Sequence, residues 1–385
     1  MPIEKLLRKL FMKRFKLKKT MMTILIILAT FTLIIFAFMQ QASFGALPKG
    51  DRLEKITQSA NFKKGQFHNV EHTPDLTEGY GFFSVLYEFL FMKTENTSPT
   101  GTIPSTKTNI KHLNNSDDAL IWFGHSSYYI QIDGKSILVD PVFSGNSSPI
   151  PNNIKAFNGT DQYTPNDFDE IDYLFITHDH WDHLDYKTVL ALKNKVKTVI
   201  CGLGVGQHFE KWGYEANKIK ELDWNESITV DNNFIVDAVS SRHFSGRGIH
   251  RNKTLWVSFV IQTPSFQLFI GGDSGYGVHF ANIGNKYGEF DLVILENGQY
   301  DKKWKYIHMM PEEVLQAAKD LKAKRLFPVH SGKFKLANHA WDEPLIRITK
   351  ANKTNNLNLL TPIIGQQVYL KDTNQIFSEW WLEVK

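Results

Sequence analysis

Apolar and polar positions follow three textures along the chain. Residues 21–39 are apolar except for Thr23, Thr30 and Thr32, and no charged residue occurs between 20 and 48. At about 1.5 Å of rise per residue, such a run roughly matches a hydrocarbon core of about 30 Å, which predicts a membrane helix. Residues 80–91 are aromatic-rich and predict an amphipathic helix, while 94–108 are rich in Ser, Thr and Pro and predict a connection. From Ala119 short β-rich runs take over. Residues 128–132 and 136–139 flank Asp133-Gly134, a hairpin signal. Further strands are predicted at 173–176, 198–201, 234–239, 255–261, 267–270, 292–295 and 325–329. Helical patterns at 186–195, 207–212 and 311–322 separate some of them, and Pro311 suits a first helical turn. The alternation predicts layered α/β structure without a repeat of fixed period.

These textures divide the chain into a basic segment (1–19), an anchor (20–41), a stalk and N-terminal extension (42–118) and a folded body (119–385). With 42% hydrophobic and 13% aromatic residues, the composition excludes a disordered chain. The formal charge of +4 is misleading as a whole-chain property. Eight Lys or Arg against Glu4 give residues 1–19 a charge of +7, so the rest carries −3. The basicity belongs to the anchor, which removes most support for a nucleic-acid partner. By the positive-inside rule the same cluster places the N-terminus in the cytoplasm and the body outside it, in a single-pass protein. A cleaved signal peptide is the alternative, with Ser43-Phe44-Gly45 as a weak site, but the apolar run exceeds an h-region of about 7–15 residues. Cys201 stands alone, so neither an intrachain disulfide nor a Cys-based zinc finger can form.

Any metal must therefore be held by His and carboxylates. His178, His180, Asp182 and His183 fall within six residues, directly after the apolar run 173–176. Imidazole and carboxylate are the ligands zinc takes, and two ions about 3.5–4 Å apart can activate water for hydrolysis. A polar surface turn or a structural His pair is the bland reading of four such residues. Three more candidates follow apolar runs: His243 after 234–239, Asp273 after 267–270 and His330 after 325–329.

Residues 177–185, Thr-His-Asp-His-Trp-Asp-His-Leu-Asp, resemble the His-x-His-x-Asp-His signature of the metallo-β-lactamase superfamily. The resemblance implies an αββα sandwich, preceded here by one transmembrane helix, and a zinc pair. It implies one ion at His178, His180 and His243, the other at Asp182, His183 and His330, with Asp273 bridging. Trp122-Phe123-Gly124-His125-Ser126, followed by residues 138–144, is similar to the opening of N-acylphosphatidylethanolamine-hydrolysing phospholipase D and its bacterial relatives. Gly65-Gln66-Phe67-His68-Asn69, Gly298-Gln299-Tyr300-Asp301 leading through Trp304 and His308 to Pro311-Glu312-Glu313, and His339-Ala340-Trp341 leading to Arg347 agree. The resemblance covers roughly residues 60–350. Glu296-Asn297 and the tail after Lys350 depart from it.

Such a resemblance implies a phosphodiesterase acting on N-acylphosphatidylethanolamine-like membrane lipids, giving phosphatidic acid and an N-acylethanolamine. Asp182 and His308 are the expected catalytic residues, His308 as a contact to phosphate or as an acid; capping a helix beside Met309 and Met310 is its alternative role. His125 and Asp140 are expected to orient ligands by hydrogen bonds. The expected partners are a phospholipid substrate and the membrane, and a homodimer is left open. A lactonase or amide hydrolase on the same site, or a non-catalytic envelope binding protein, are the rival readings.

Overall fold

A computed structural model describes residues 3–384, apart from 93, 115, 232 and the side chains of 89 and 90. It divides into two units, the first ending at Phe44 and the second beginning at Gly45.

The first unit is one helix, Ile3–Met39, closed by a 3-10 turn at Ala42–Phe44. It is long and apolar enough to be a candidate membrane span. The basic segment and the anchor, separate by composition, are continuous in it. Lys, Arg, Leu and Met are good helix formers, and Thr20, Thr23 and Thr32 return their hydroxyls to the carbonyls of Lys16, Lys19 and Leu28 at 3.1, 3.0 and 2.9 Å. These three threonines thus keep their hydroxyls paired on an apolar surface.

The second unit opens with a short helix, Asp51–Gln58, followed by a small hairpin, β1 (Phe62–Lys63) and β2 (Gln66–Phe67). The chain then lays down β3 (Ala119–Trp122), β4 (Tyr128–Ile132), β5 (Lys135–Val139), β6 (Ile171–Ile176), β7 (Val196–Gly202) and β8 (Ile219–Leu222). The second series comprises β9 (Ser227–Asp231), β10 (Phe234–Val239), β11 (Ser258–Gln262), β12 (Gln267–Ile270), β13 (Leu292–Glu296), β14 (Arg325–Val329) and β15 (Asn358–Leu359), and β16 (Gln367–Tyr369) comes last. Two seven-stranded sheets result, ordered β16-β3-β4-β5-β6-β7-β8 and β15-β14-β13-β12-β11-β10-β9. Each pairs antiparallel early (β3 to β5; β9 to β12) and parallel late (β5 to β8; β12 to β15). The two halves of the body repeat one plan.

Side-chain alternation explains the layering. Ile137, Val139, Tyr173, Phe175, Leu292 and Ile294 enter one central cluster. Their neighbours Leu138, Leu174 and Ile176 enter a second cluster with Val189 and Phe209, and Val293 and Leu295 a third with Phe280 and Val314. Period-2 strands buried on both faces read as continuous apolar runs, which is why these are the easiest strands to predict. The helices supplying the outer clusters include Tyr186–Leu192, Gly206–Lys211, His279–Tyr287 and Pro311–Asp320. The αββα sandwich is therefore the observed fold.

Several expectations shift. The strand predicted over 255–261 begins at Ser258, because Leu255 and Val257 spend their N–H groups on Leu203 and Thr177 carbonyls of the other half. β8, β9, β15 and β16, and the helices His279–Tyr287 and Glu343–Asn352, escape prediction; β8 and β9 carry polar residues at a sheet edge. Residues 45–118, which by composition suggest a stalk and extension, belong to the same compact unit as the sandwich and give Ile56, Phe67 and Ile103 to the central cluster. The tail after Lys350 is structural as well: β16 pairs with β3, and Trp380 stacks on Trp341 while Trp381 is buried beside it.

Candidate metal centre

Each predicted ligand sits just past a strand end. Residues 177–185 leave β6, and the turn is closed by His183 and Leu184 N–H groups donating to the His180 carbonyl. Asp185 then caps the helix Tyr186–Leu192. His243 follows β10, Asp273 follows β12 and His330 follows β14. The turn before Asp273 needs glycine: a Cβ on Gly272, at φ +59, would come within 2.8 Å of the Thr177 Cβ. His125 and His330 both have positive φ and tie the two halves together, the His330 N–H donating to the His125 carbonyl and the His125 N–H to the Ser331 carbonyl, each at 3.0 Å.

Hydrogen bonds fix which ring nitrogens face inward. Thr177 Oγ1 donates to Asp140 Oδ2 at 2.6 Å, so it accepts from His178 Nδ1 at 3.0 Å and leaves His178 Nε2 a lone pair. His243 Nδ1 donates to the Ile307 carbonyl at 2.9 Å, which frees His243 Nε2 in the same way. These two lone pairs lie 2.9 and 3.2 Å from His180 Nδ1, which can supply at most one proton between them. Lone pairs converging in a buried place fit a cation.

The second group is built from both halves. His183 Nδ1 donates to Asp140 Oδ2 at 2.8 Å, turning His183 Nε2 toward Asp273 Oδ2 at 3.2 Å and Asp182 Oδ2 at 3.5 Å. Ser126 Oγ meets His330 Nδ1 at 2.8 Å, and His330 Nε2 lies 3.3 Å from Asp273 Oδ2. His125 Nε2 donates to Asp182 Oδ2 at 2.8 Å. Asp273 Oδ2 stands between the groups, 3.7 Å from His243 Nε2 and 3.9 Å from His178 Nε2. Its Oδ1 and His183 Nε2 are buried without a hydrogen-bond partner among the described residues, which suits ligand atoms awaiting an ion. His178, His180 and His243, and separately Asp182, His183 and His330 with His125, are close enough to hold metal ions.

Burial pushes His178, His243 and His330 well below the usual imidazole range and His180 down to about 4. Burial opposes charge on His183 too, but Asp273 and Asp182 outweigh it and hold its imidazole well above the usual range. Burial lifts Asp273 to about 6.

His308 lies beside both groups, its ring centroid 5.0 Å from that of His243 and 5.3 Å from that of His330. It is joined there by Glu296, to which the sequence assigns no role. Sequence patterns also miss Thr177 and Ser126 as orienting groups, and a brace around Asp179. That carboxylate accepts from Gly246 N–H at 2.7 Å, Thr254 Oγ1 at 3.0 Å and His208 Nε2 at 3.2 Å; burial opposes its charge, but the His208 bond helps bring it down to about 2. Arg247 Nη1 donates to the carbonyls of Asp179 and Leu184 at 2.8 and 2.7 Å, pinning the loop at both ends. Asn69 grips the His243 backbone with its side chain, at 3.1 Å from His243 N and 2.8 Å from its carbonyl. These partners lie far away in sequence, and only the motif character of Gly65–Asn69 hints at one of them.

Comparison with known proteins agrees with the fold. Residues 135–331 match a family model described as a β-lactamase superfamily domain. An uncharacterized protein of Mycobacterium tuberculosis is 37% identical over 320 residues, covering 81% of this chain and 84% of its own. An N-acyl-phosphatidylethanolamine-hydrolyzing phospholipase D of Caenorhabditis elegans is 28% identical over 231 residues, 55% of this chain and 63% of that one. A solved structure of a possible metal-dependent hydrolase from Veillonella parvula shares the fold, with a TM-score of 0.51 at 14% identity over 66% of this chain and 100% of that one. The family match runs from β5 to the residue after His330 and so spans the loops carrying all seven predicted ligands, and the chain belongs to the metallo-β-lactamase superfamily as a metal-dependent hydrolase.

Proposed function

We propose that the chain is a phosphodiesterase of the phospholipase D type that uses two zinc ions to split N-acylphosphatidylethanolamine-like membrane lipids into phosphatidic acid and an N-acylethanolamine. The observation that carries this reading is the pair of donor groups meeting at Asp273 Oδ2. In it, His178, His180 and His243 would hold one ion and Asp182, His183 and His330 the other, with Asp273 shared between the two groups. When bound, the ions supply Lewis-acid activation of water and of a phosphoryl oxygen. The chain's own groups do the rest. Asp140 and Thr177 keep the ring nitrogens of His183 and His178 turned inward. Asp182, fixed by His125, presents a carboxylate that orients the attacking water. His308, with its ring against those of His243 and His330, would meet the phosphate ester. Similarity to the nematode phospholipase D supports a lipid substrate.

In this reading the Ile3–Met39 helix is an uncleaved anchor with its N-terminus in the cytoplasm, and the hydrolase body lies on the other side. A tether of this kind keeps the enzyme with a substrate that never leaves the bilayer. Hydrolysis of N-acylphosphatidylethanolamine by zinc-loaded full-length chain in oxygen-18 water tests the reaction. Label in phosphatidic acid is the expected result; label only in a released carboxylate replaces this reading with an amide hydrolase or lactonase. Zinc content near zero in the purified chain would instead favour a binding protein.

A further inference from the structure

Glu296 closes the apolar strand β13, Leu-Val-Ile-Leu-Glu, and its side chain is wholly buried. A carboxyl in such a place is costly unless every oxygen has a partner. Oε1 accepts from the backbone N–H of Met309 at 2.9 Å and of Ser274 at 3.3 Å. Oε2 lies 2.5 Å from His308 Nδ1. The three contacts join β13, the turn after Asp273 and the segment carrying His308, so the imidazole is gripped from behind. Its other nitrogen, Nε2, has no hydrogen-bond partner among the described residues, and the ring stacks on His330 at an interplanar angle of 20°. His308 is thus a ring clamped at one nitrogen beside both donor groups, with the other nitrogen free to meet a ligand.

We propose that Glu296 is a positioning residue that holds His308 as proton donor to an alkoxide leaving oxygen, so that the site takes phosphodiesters of aliphatic alcohols; this rests on the phosphodiesterase reading above. In the step, a water oxygen bonds to phosphorus while the phosphorus–alkoxy oxygen bond breaks. The Nε2 proton of His308 passes to the departing oxygen, and His308 Nδ1 keeps or receives the proton it shares with Glu296. A proton released by the water then restores the pair, so the elements of water add across the ester bond. An alkoxide is far more basic than a nitrophenolate, so only the aliphatic ester depends on this proton. In Glu296→Gln the amide oxygen can still accept from Met309 and Ser274 while its NH₂ donates to His308 Nδ1. Ring placement is kept, but the transferable proton of the pair is lost.

The test compares full-length zinc-loaded wild type, E296Q and H308Q on N-acylphosphatidylethanolamine and on bis(4-nitrophenyl) phosphate. For the lipid, E296Q is expected to lower kcat by about 10²–10⁴-fold with KM and zinc content unchanged, and for the nitrophenyl ester by much less. E296Q added to H308Q is expected to cost nothing more on the lipid. Proton NMR gives a readout independent of turnover: a strongly downfield ring-proton resonance in the wild type, absent from both E296Q and H308Q. Equal losses on the two esters, loss of zinc in E296Q, additive losses in the double variant or no such resonance in the wild type would each overturn the positioning role. A wild type that splits neither ester overturns the phosphodiesterase reading and the leaving-group role with it, while the resonance still decides whether Glu296 and His308 share a proton.

Discussion

The two donor groups are made by the same kind of strand end yet differ in chemistry. His178, His180 and His243 offer only imidazole nitrogens, all driven by burial toward the neutral form that a metal requires. Asp182, His183 and His330 mix nitrogen with carboxylate, and the carboxylates of Asp182 and Asp273 keep a proton on His183 when no ion is there to balance them. The orienting contacts differ too. A backbone carbonyl and a hydroxyl set the first group, whereas the Asp140 carboxylate and Ser126 set the second. The difference teaches that one centre can contain a site ready to accept a cation and a site that must first give up a proton.

Asp273 is the residue on which the comparison depends, because its Oδ2 approaches ring nitrogens of both groups. Asp273→Ala is expected to reduce turnover by more than the roughly 10–100-fold typical of an outer partner and to lower the metal content at both positions. Elemental analysis showing one position still full would make Asp273 a member of one group only. His178→Ala and His183→Ala come next: each is expected to remove one ion per chain and leave the other. If either change emptied both, the two groups would be one cooperative site. Asp140→Ala removes the direct partner of His183 and reaches His178 only at second hand, through Thr177, so it is expected to weaken the second ion by about 10–100-fold and the first by less in a competition titration with a chelator.

The smallest effect is in protons. Zinc entering the first group should release almost none near pH 7, because its imidazoles are already neutral there. Zinc entering the second should release about one, that of His183, whose imidazole is raised. Since ion and proton compete for His183, affinity at the second group should increase with pH up to that raised value, while the first group stays flat around neutrality. Calorimetric titrations in buffers of different ionisation enthalpy measure the release. Equal release in both events would erase the contrast.

Much of the centre is legible directly in the chain. Four of the ligand-type residues lie within residues 178–183, where a single turn brings them together, and β6, β12, β13 and β14 announce themselves as apolar runs because both of their faces are buried. The N-terminal helix is equally plain, since a long apolar run needs no partner to be recognised. Edge strands such as β8 and β9 are not readable, because one polar face against solvent resembles a loop. Residues 45–118 look like a stalk by composition, yet Asn69, Phe67 and Ile56 work as part of the body.

By itself, then, the sequence determined the local ligand loop, the buried strands that carry its distant partners, and the apolar helix at the front. Those features are set by residues within a few positions of one another, through turn geometry and through the period of burial. Only the tertiary structure decided that His243, Asp273 and His330 meet residues 178–183, that Asp140 orients His183, and that Glu296 stands behind His308. Such meetings depend on how two sheets face each other and where their loops cross. Hydrophobic periodicity records which side of a strand is buried, but it carries no information about which polar side chain, tens or hundreds of residues away, will arrive on the other side.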